Sequence, residues 1–234
     1  MSETHRVARQ AGTLYFVFML MGIYGEFFFP TFSVAGDPAA TARNIAAGEL
    51  TYRAGILLGM ATHVVFLFLV VLLYRLFEHV DRGKAVLMVV LVSVGVAVDL
   101  GNMLNRFAPL VLLGDVKYLS EFTRPQLEAL ALATFRYRGS GSLLPLGFWG
   151  LWLFPFGLLV IKSRFLPRIL GVLIVLAGVS YCVTSTGSIL WPEYRGAINR
   201  YMTPLYFGEV PIIFWLLIKG ARVLPVATRG PEMG

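Results

Sequence analysis

Six long apolar runs alternate with short polar turns along the chain, at about 7–29, 52–76, 85–113, 125–161, 167–190 and 203–218. A bilayer hydrocarbon core about 30 Å thick takes roughly 20 helical residues per crossing, so each run is about long enough to cross. Backbone groups in hydrocarbon must be satisfied within the segment, and these runs are too long and too continuously apolar for barrel strands. The pattern therefore predicts an all-α, polytopic membrane helix bundle of about six transmembrane helices. It predicts one helical domain over residues 1–222 and a disordered cytoplasmic tail over 223–234, where two prolines and mixed charge replace the apolar pattern.

The polar punctuation refines this picture. Asp37-Pro38 pairs a good N-cap with a residue suited to the first helical position. A short surface helix near 38–48 follows, stopped by Gly48 and too short and polar to span. Asp81-Arg82-Gly83-Lys84 reads as a tight charged turn, and Thr123 with Gln126 as a capping box that opens the fourth helix. Gly139-Ser140-Gly141-Ser142, followed by Pro145, predicts a break in that helix. Trp191-Pro192-Glu193-Tyr194 reads as an interfacial stop. Ser33-Val34-Ala35 has the small residues of a signal-peptide cleavage site. The run before it exceeds the usual h-region of about 7–15 residues and carries Glu26, so a retained anchor is expected.

Composition agrees with lipid as the solvent: 57% of the 234 residues are hydrophobic and 14% are charged, where a soluble domain carries about 25% charge. The net charge of +7 would suggest nucleic acid in a soluble protein. No dense basic window supports that, and cytoplasmic loops of membrane proteins collect Lys and Arg, so no nucleic-acid partner is predicted. With the N-terminus inside, eleven basic residues fall on the cytoplasmic side and nine on the other. The count is a weak bias, but every inner junction has basic residues beside a span end: Arg6 and Arg9, Arg75 with Arg82 and Lys84, Lys162 with Arg164 and Arg168, and Lys219 with Arg222 and Arg229. The expected location is the cell (inner) membrane with both termini cytoplasmic. One cysteine, Cys182, excludes an internal disulfide and a Cys-rich metal site.

Placing the polar residues by depth supplies the functional clue. Glu26, Arg53, Asp99, Asn102, Arg106, Arg136, Tyr206 and Glu209 all fall in the outer leaflet or near mid-membrane, whereas the inner halves are nearly pure Leu, Val, Ile and Phe. An intramembrane charge costs at least about 2.5 kcal/mol on insertion scales and should face protein or water. Asp99, Asn102 and Arg106 share a helix face by their spacing of i, i+3 and i+7. These eight residues predict an outward-facing polar pocket; the competing reading is structural ion pairs and interhelical hydrogen bonds. His63, Asp99 and Glu209 are ligand types for Zn²⁺ or Fe²⁺, but no close motif joins them, and a hydrogen-bonded histidine in a helix interface is the simpler expectation. No cofactor is predicted: His5 and His79 lie at the surface, too far out for paired haem ligands, and no lysine lies deep enough for retinal. Gly55 and Gly59 form a GxxxG that suits close packing within the bundle or dimerisation.

Several segments carry a family resemblance. They are Gly22-Ile23-Tyr24-Gly25-Glu26, Asp37-Pro38-Ala39-Ala40-Thr41-Ala42-Arg43-Asn44-Ile45 and Tyr52-Arg53-Ala54-Gly55-Ile56-Leu57. Further on come Asp99-Leu100-Gly101-Asn102-Met103-Leu104, Arg164-Phe165-Leu166-Pro167-Arg168-Ile169-Leu170-Gly171 and Gly208-Glu209. Their order and spacing, over about residues 6–220, resemble the bacterial membrane family called domain of unknown function 4386. The resemblance implies about six spans. It implies no established activity and supplies no catalytic residues.

Three function classes follow. A polar pocket without a nucleophile motif points to a non-enzymatic membrane protein that binds a small ligand, a lipid or a membrane-protein partner. Intramembrane carboxylates and broken helices also fit a small, proton-coupled transporter working through Glu26, Asp99 or Glu209. The weak metal set fits a membrane-embedded hydrolase.

Overall fold

The computed structural model describes residues 3–221. Arg222, Arg229 and the tail over 223–234 lie outside the described residues. Six helices are long and apolar enough to cross a membrane: Glu3–Phe28, Glu49–Phe77, Arg82–Leu112, Arg124–Ser163, Arg168–Leu190 and Pro192–Lys219, hereafter spans one to six. The protein is thus a multi-pass helical membrane protein, with no strand among the described residues.

Local sequence explains most boundaries. The surface helix Pro38–Ala47 starts where Asp37 Oδ1 accepts the Ala40 N–H at 2.8 Å. Gly48 alone separates it from span two. Thr41 is buried beneath this helix and bonds both the amide and the carbonyl of Val34, which folds the preceding loop back on it. Asp81 caps span three in the same way, accepting the Lys84 N–H at 3.2 Å. Span four opens on the capping box of Thr123 and Gln126. It then breaks twice, at Ser142 and at Trp152, where Pro145 and Pro155 each remove a helical hydrogen bond. Only the first break is the one expected from the glycines. Span six starts well before residue 203: the 3-10 turn Pro192–Tyr194 leads directly into the helix Arg195–Tyr206, so the expected aromatic stop is a turn at the head of the helix.

Glycines set how closely the spans approach. A Cβ on Gly171 would sit 2.5 Å from the Gly157 carbonyl oxygen, and one on Gly178 would sit 2.9 Å from that of Gly150. Spans four and five are therefore zipped backbone to backbone along a small-residue seam, the packing device that replaces hydrophobic drive in lipid. Gly12 admits the backbone of span six at Leu216 and Leu217 in the same manner. The apolar core fills the middle of the bundle and one end. It is built on Tyr15, Phe77, Trp152 and Phe156, with Trp152 and Phe156 stacked at 5.2 Å. That end also gathers the chain's turns. Arg75 approaches Glu3 at 3.8 Å, His5 Nδ1 meets the Ala221 carbonyl at 3.1 Å, and Lys162 reaches Asp81 at 3.0 Å. A smaller cluster of Phe32, Ile45, Tyr52, Ile56 and Met103 closes the opposite end, beneath the surface helix.

Candidate functional site

The polar residues inside the bundle form two groups, one at the opposite end and one against the core at mid-span. The first surrounds Arg106, which lies in the 3-10 turn Leu104–Arg106 that ends the regular part of span three. Its Nη1 donates to the Gly55 carbonyl at 3.0 Å, and its own carbonyl accepts the Tyr52 hydroxyl at 2.9 Å. Two cavities meet at this guanidinium. One, of about 170 Å³, runs between spans one and two, past Gly22, Gly25, Gly55 and Gly59 to His63. The other, of about 260 Å³, is lined by Tyr52, Phe135 and Arg138. Gly25, Glu26, Phe29 and Arg106 line both. Among the described residues, neither Glu26, Arg106 nor Arg138 enters an ion pair. Arg138 Nε is buried and has no hydrogen-bond partner. Two cationic groups and one carboxylate thus face a shared space without neutralising one another.

At the deep end of the smaller cavity, His63 Nε2 lies 3.0 Å from Asp99 Oδ2, and His63 Nδ1 lies 2.7 Å from the Gly59 carbonyl. A carbonyl only accepts, so Nδ1 carries a proton. The contact to the carboxylate needs another proton between Nε2 and Oδ2. The pair therefore holds an imidazolium against a carboxylate, or a neutral imidazole against a protonated acid; either way its net charge is zero. Glycine makes the approach possible: a Cβ on Gly59 would meet the Met103 methyl at 2.7 Å and one on Gly55 the Phe29 ring at 2.5 Å. The GxxxG of span two packs inside this bundle.

The second group lies between spans one, five and six. Glu209 accepts the Tyr15 hydroxyl at 2.6 Å and also a hydrogen bond from Tyr181. Tyr181 stacks on Tyr206 at 4.1 Å, and the Tyr206 hydroxyl donates to Thr184 at 2.7 Å. Gly208 permits this arrangement, because a Cβ there would run into the Leu173 carbonyl of span five. Each of these polar groups has a protein partner, which is what a satisfied interhelical network requires.

The eight residues expected to share one pocket are therefore divided. Glu26 and Arg106 line the cavities, and Asp99 borders them through His63. Asn102 turns to span four, where it donates to the Arg138 carbonyl at 3.1 Å and presses on Gly141. Tyr206 and Glu209 belong to the second group. Arg53 is exposed and paired with Glu49 at 2.7 Å, and Arg136 is exposed. The metal set is not assembled: Glu209 is bound to tyrosines, away from His63 and Asp99, and no three His, Cys, Asp or Glu side chains group as a metal site among the described residues. Tyr52 and Arg138 line the larger cavity and stand outside the eight residues expected. Periodicity points to both. Tyr52, Ile56, Gly59, His63 and Phe66 repeat at helical spacing on one face of span two, and Leu127, Ala131, Phe135 and Arg138 do so on span four. Arg53 and Arg136 are each one residue off those faces.

The family model for the domain of unknown function 4386 matches residues 10–220. An uncharacterized protein of Archaeoglobus fulgidus is 32% identical over 149 residues, covering 61% of this chain and 86% of the relative. No solved structure matches the chain.

Proposed function

The chain belongs to the domain of unknown function 4386 family, and from that premise we propose that it is a non-enzymatic membrane protein that holds a small ligand in the cavities around Arg106. The reading rests on one observation: Arg106, Arg138 and Glu26 face the same space and none is spent on an ion pair. Charges kept at the edge of a membrane without a paired counter-charge are costly as scaffolding and reasonable as ligand contacts. The hydrolase reading has little to rest on. His63 has both ring nitrogens engaged, leaving none to serve a nucleophile as base. The proposed setting is the cytoplasmic membrane, with the Asp81 turn inside the cell and the cavities toward the outer face.

Native mass spectrometry of protein gently extracted from its own membranes tests this reading. The wild-type chain should carry a bound species that is reduced at least about tenfold in an Arg106→Gln, Arg138→Gln double variant. The glutamine placed at position 106 retains a donor for the Gly55 carbonyl, so an unchanged melting temperature separates lost binding from lost folding. Equal occupancy in both proteins, or none in either, would end the proposal.

A further inference from the structure

The shape of the smaller cavity says more about the ligand than its charge alone, and this step rests on the ligand-binding reading above. We infer that the occupant is a phospholipid, with its phosphate between Arg106 and Arg138 and an acyl chain in the crevice between spans one and two. Three observations converge on it.

The first is charge. Arg106 and Arg138 contribute two positive charges, Glu26 contributes one negative charge, and the His63–Asp99 pair contributes none. The surplus of one positive charge matches the single negative charge of a phosphodiester. Guanidinium groups present planar forks suited to phosphate oxygens, and the buried Arg138 Nε is a donor that still lacks an acceptor.

The second is depth. Arg106 stands 24 residues beyond Arg82 at the start of span three. At about 1.5 Å per residue that is roughly 36 Å, slightly more than the hydrocarbon thickness of about 30 Å. The guanidinium therefore lies at headgroup level. By the same measure Asp99, 17 residues from Arg82, lies at roughly 26 Å, still within the acyl region.

The third is the crevice itself. It descends from Arg106 along Gly22, Gly25, Gly55, Leu58 and Gly59. A Cβ added to Gly22 or Gly25 meets nothing within 4 Å, so this side of the crevice is open space. Ile23 and Leu57, adjacent in the chain to lining residues, are 40% and 61% exposed. Met21, Phe29 and Leu58 give the crevice apolar walls beside the polar groups of Glu26, Thr62 and His63, and open space next to exposed apolar side chains suits a chain that arrives from the bilayer. A water-soluble phosphate would have no use for it.

The test uses the full chain in detergent and measures binding of a short-chain phosphatidylglycerol against diacylglycerol of the same chains and against glycerol 3-phosphate. Wild type should bind the phospholipid at least about tenfold more tightly than either, about 1.4 kcal/mol. Arg138→Gln should weaken phospholipid binding by about tenfold, and so should Gly22→Leu, which fills open space and leaves the fold intact. Diacylglycerol binding as tightly would remove the phosphate from the inference. Glycerol 3-phosphate binding as tightly, with Gly22→Leu silent, would assign the arginines to a soluble phosphate; the lipid inference would fall and the ligand-binding reading would stand. Phospholipid binding unchanged in both variants would place the lipid elsewhere and overturn the inference.

Discussion

At the scale of single residues, His63 and Asp99 show how a membrane interior fixes protonation by geometry. Both ring nitrogens of His63 point at oxygen acceptors, at 2.7 and 3.0 Å, and the two side chains are only 13% and 23% exposed. Wild-type protein labelled with 15N at histidine should show a protonated Nδ1 at neutral pH, with a further proton shared in the contact to Asp99. Asp99→Asn should change that state without breaking the contact. The new amide can donate to an unprotonated Nε2, so the shared proton is gone, His63 is a neutral Nδ1–H tautomer, and stability falls by about 1 kcal/mol as a neutral bond stands in for the original contact. A wild-type spectrum with an unprotonated Nδ1 would refute the arrangement. The neighbourhood of Asp99 was legible in the sequence as an intramembrane carboxylate that needs a partner. Its partner was not, because helix spacing orders residues on one helix and says nothing of the rotation of the next. Arg53 and Arg136 illustrate the same limit. Polarity and depth qualified them, but each is one residue off the inner face of its helix, and the structure turns both outward.

At the scale of elements, the turns were more legible than the sites, because caps are local. Asp37, Asp81 and the Thr123–Gln126 box all open helices where their residue types require. The second break of span four at Trp152 was not legible, although Pro155 marks its cause: the glycine run upstream drew the expectation to one place. The seam of Gly150, Gly157, Gly171 and Gly178 was likewise invisible as a pattern, since its members pair across two helices running in opposite directions. Asp81 does more than cap. Its carboxylate accepts from Lys84 Nζ at 2.7 Å and Lys162 Nζ at 3.0 Å, tying the turn before span three to the end of span four. Hydrogen bonds from those two lysines hold its pKa well below the usual carboxylate range. A carboxylate so depressed stabilises the fold at pH values above its unfolded value of about 3.9, and the contribution fades as pH falls toward the folded value. Asp81→Asn keeps the cap and removes the charge. Its melting temperature should lie below wild type at pH 7, and the gap should narrow on acidification below about pH 4. A gap that persists unchanged to low pH would show that the charge is not what the two lysines recognise.

At the scale of the whole molecule, the two ends of the bundle differ in what their basic residues do. Among the described residues each end holds nine: Arg6, Arg9, Arg75, Arg82, Lys84, Lys162, Arg164, Arg168 and Lys219 at the Asp81 end, and Arg43, Arg53, Arg106, Lys117, Arg124, Arg136, Arg138, Arg195 and Arg200 at the other. A bare count assigns no orientation. Placement does better, since topology responds to Lys and Arg within short loops beside span ends, with little influence from acidic neighbours. At the Asp81 end the basic residues flank every junction. At the other end Arg106 and Arg138 are drawn into the cavities instead of the loops. The proposed orientation therefore puts the Asp81 turn in the cytoplasm. In a background where Cys182 is replaced by serine, a membrane-impermeant maleimide added to intact cells should label Ser120→Cys, in the exposed loop between spans three and four. It should label Gly83→Cys, in the exposed Asp81 turn, only after permeabilisation. The reverse pattern would turn the bundle over. The cavities would then open to the cytoplasm, and a lipid bound there would come from the inner leaflet.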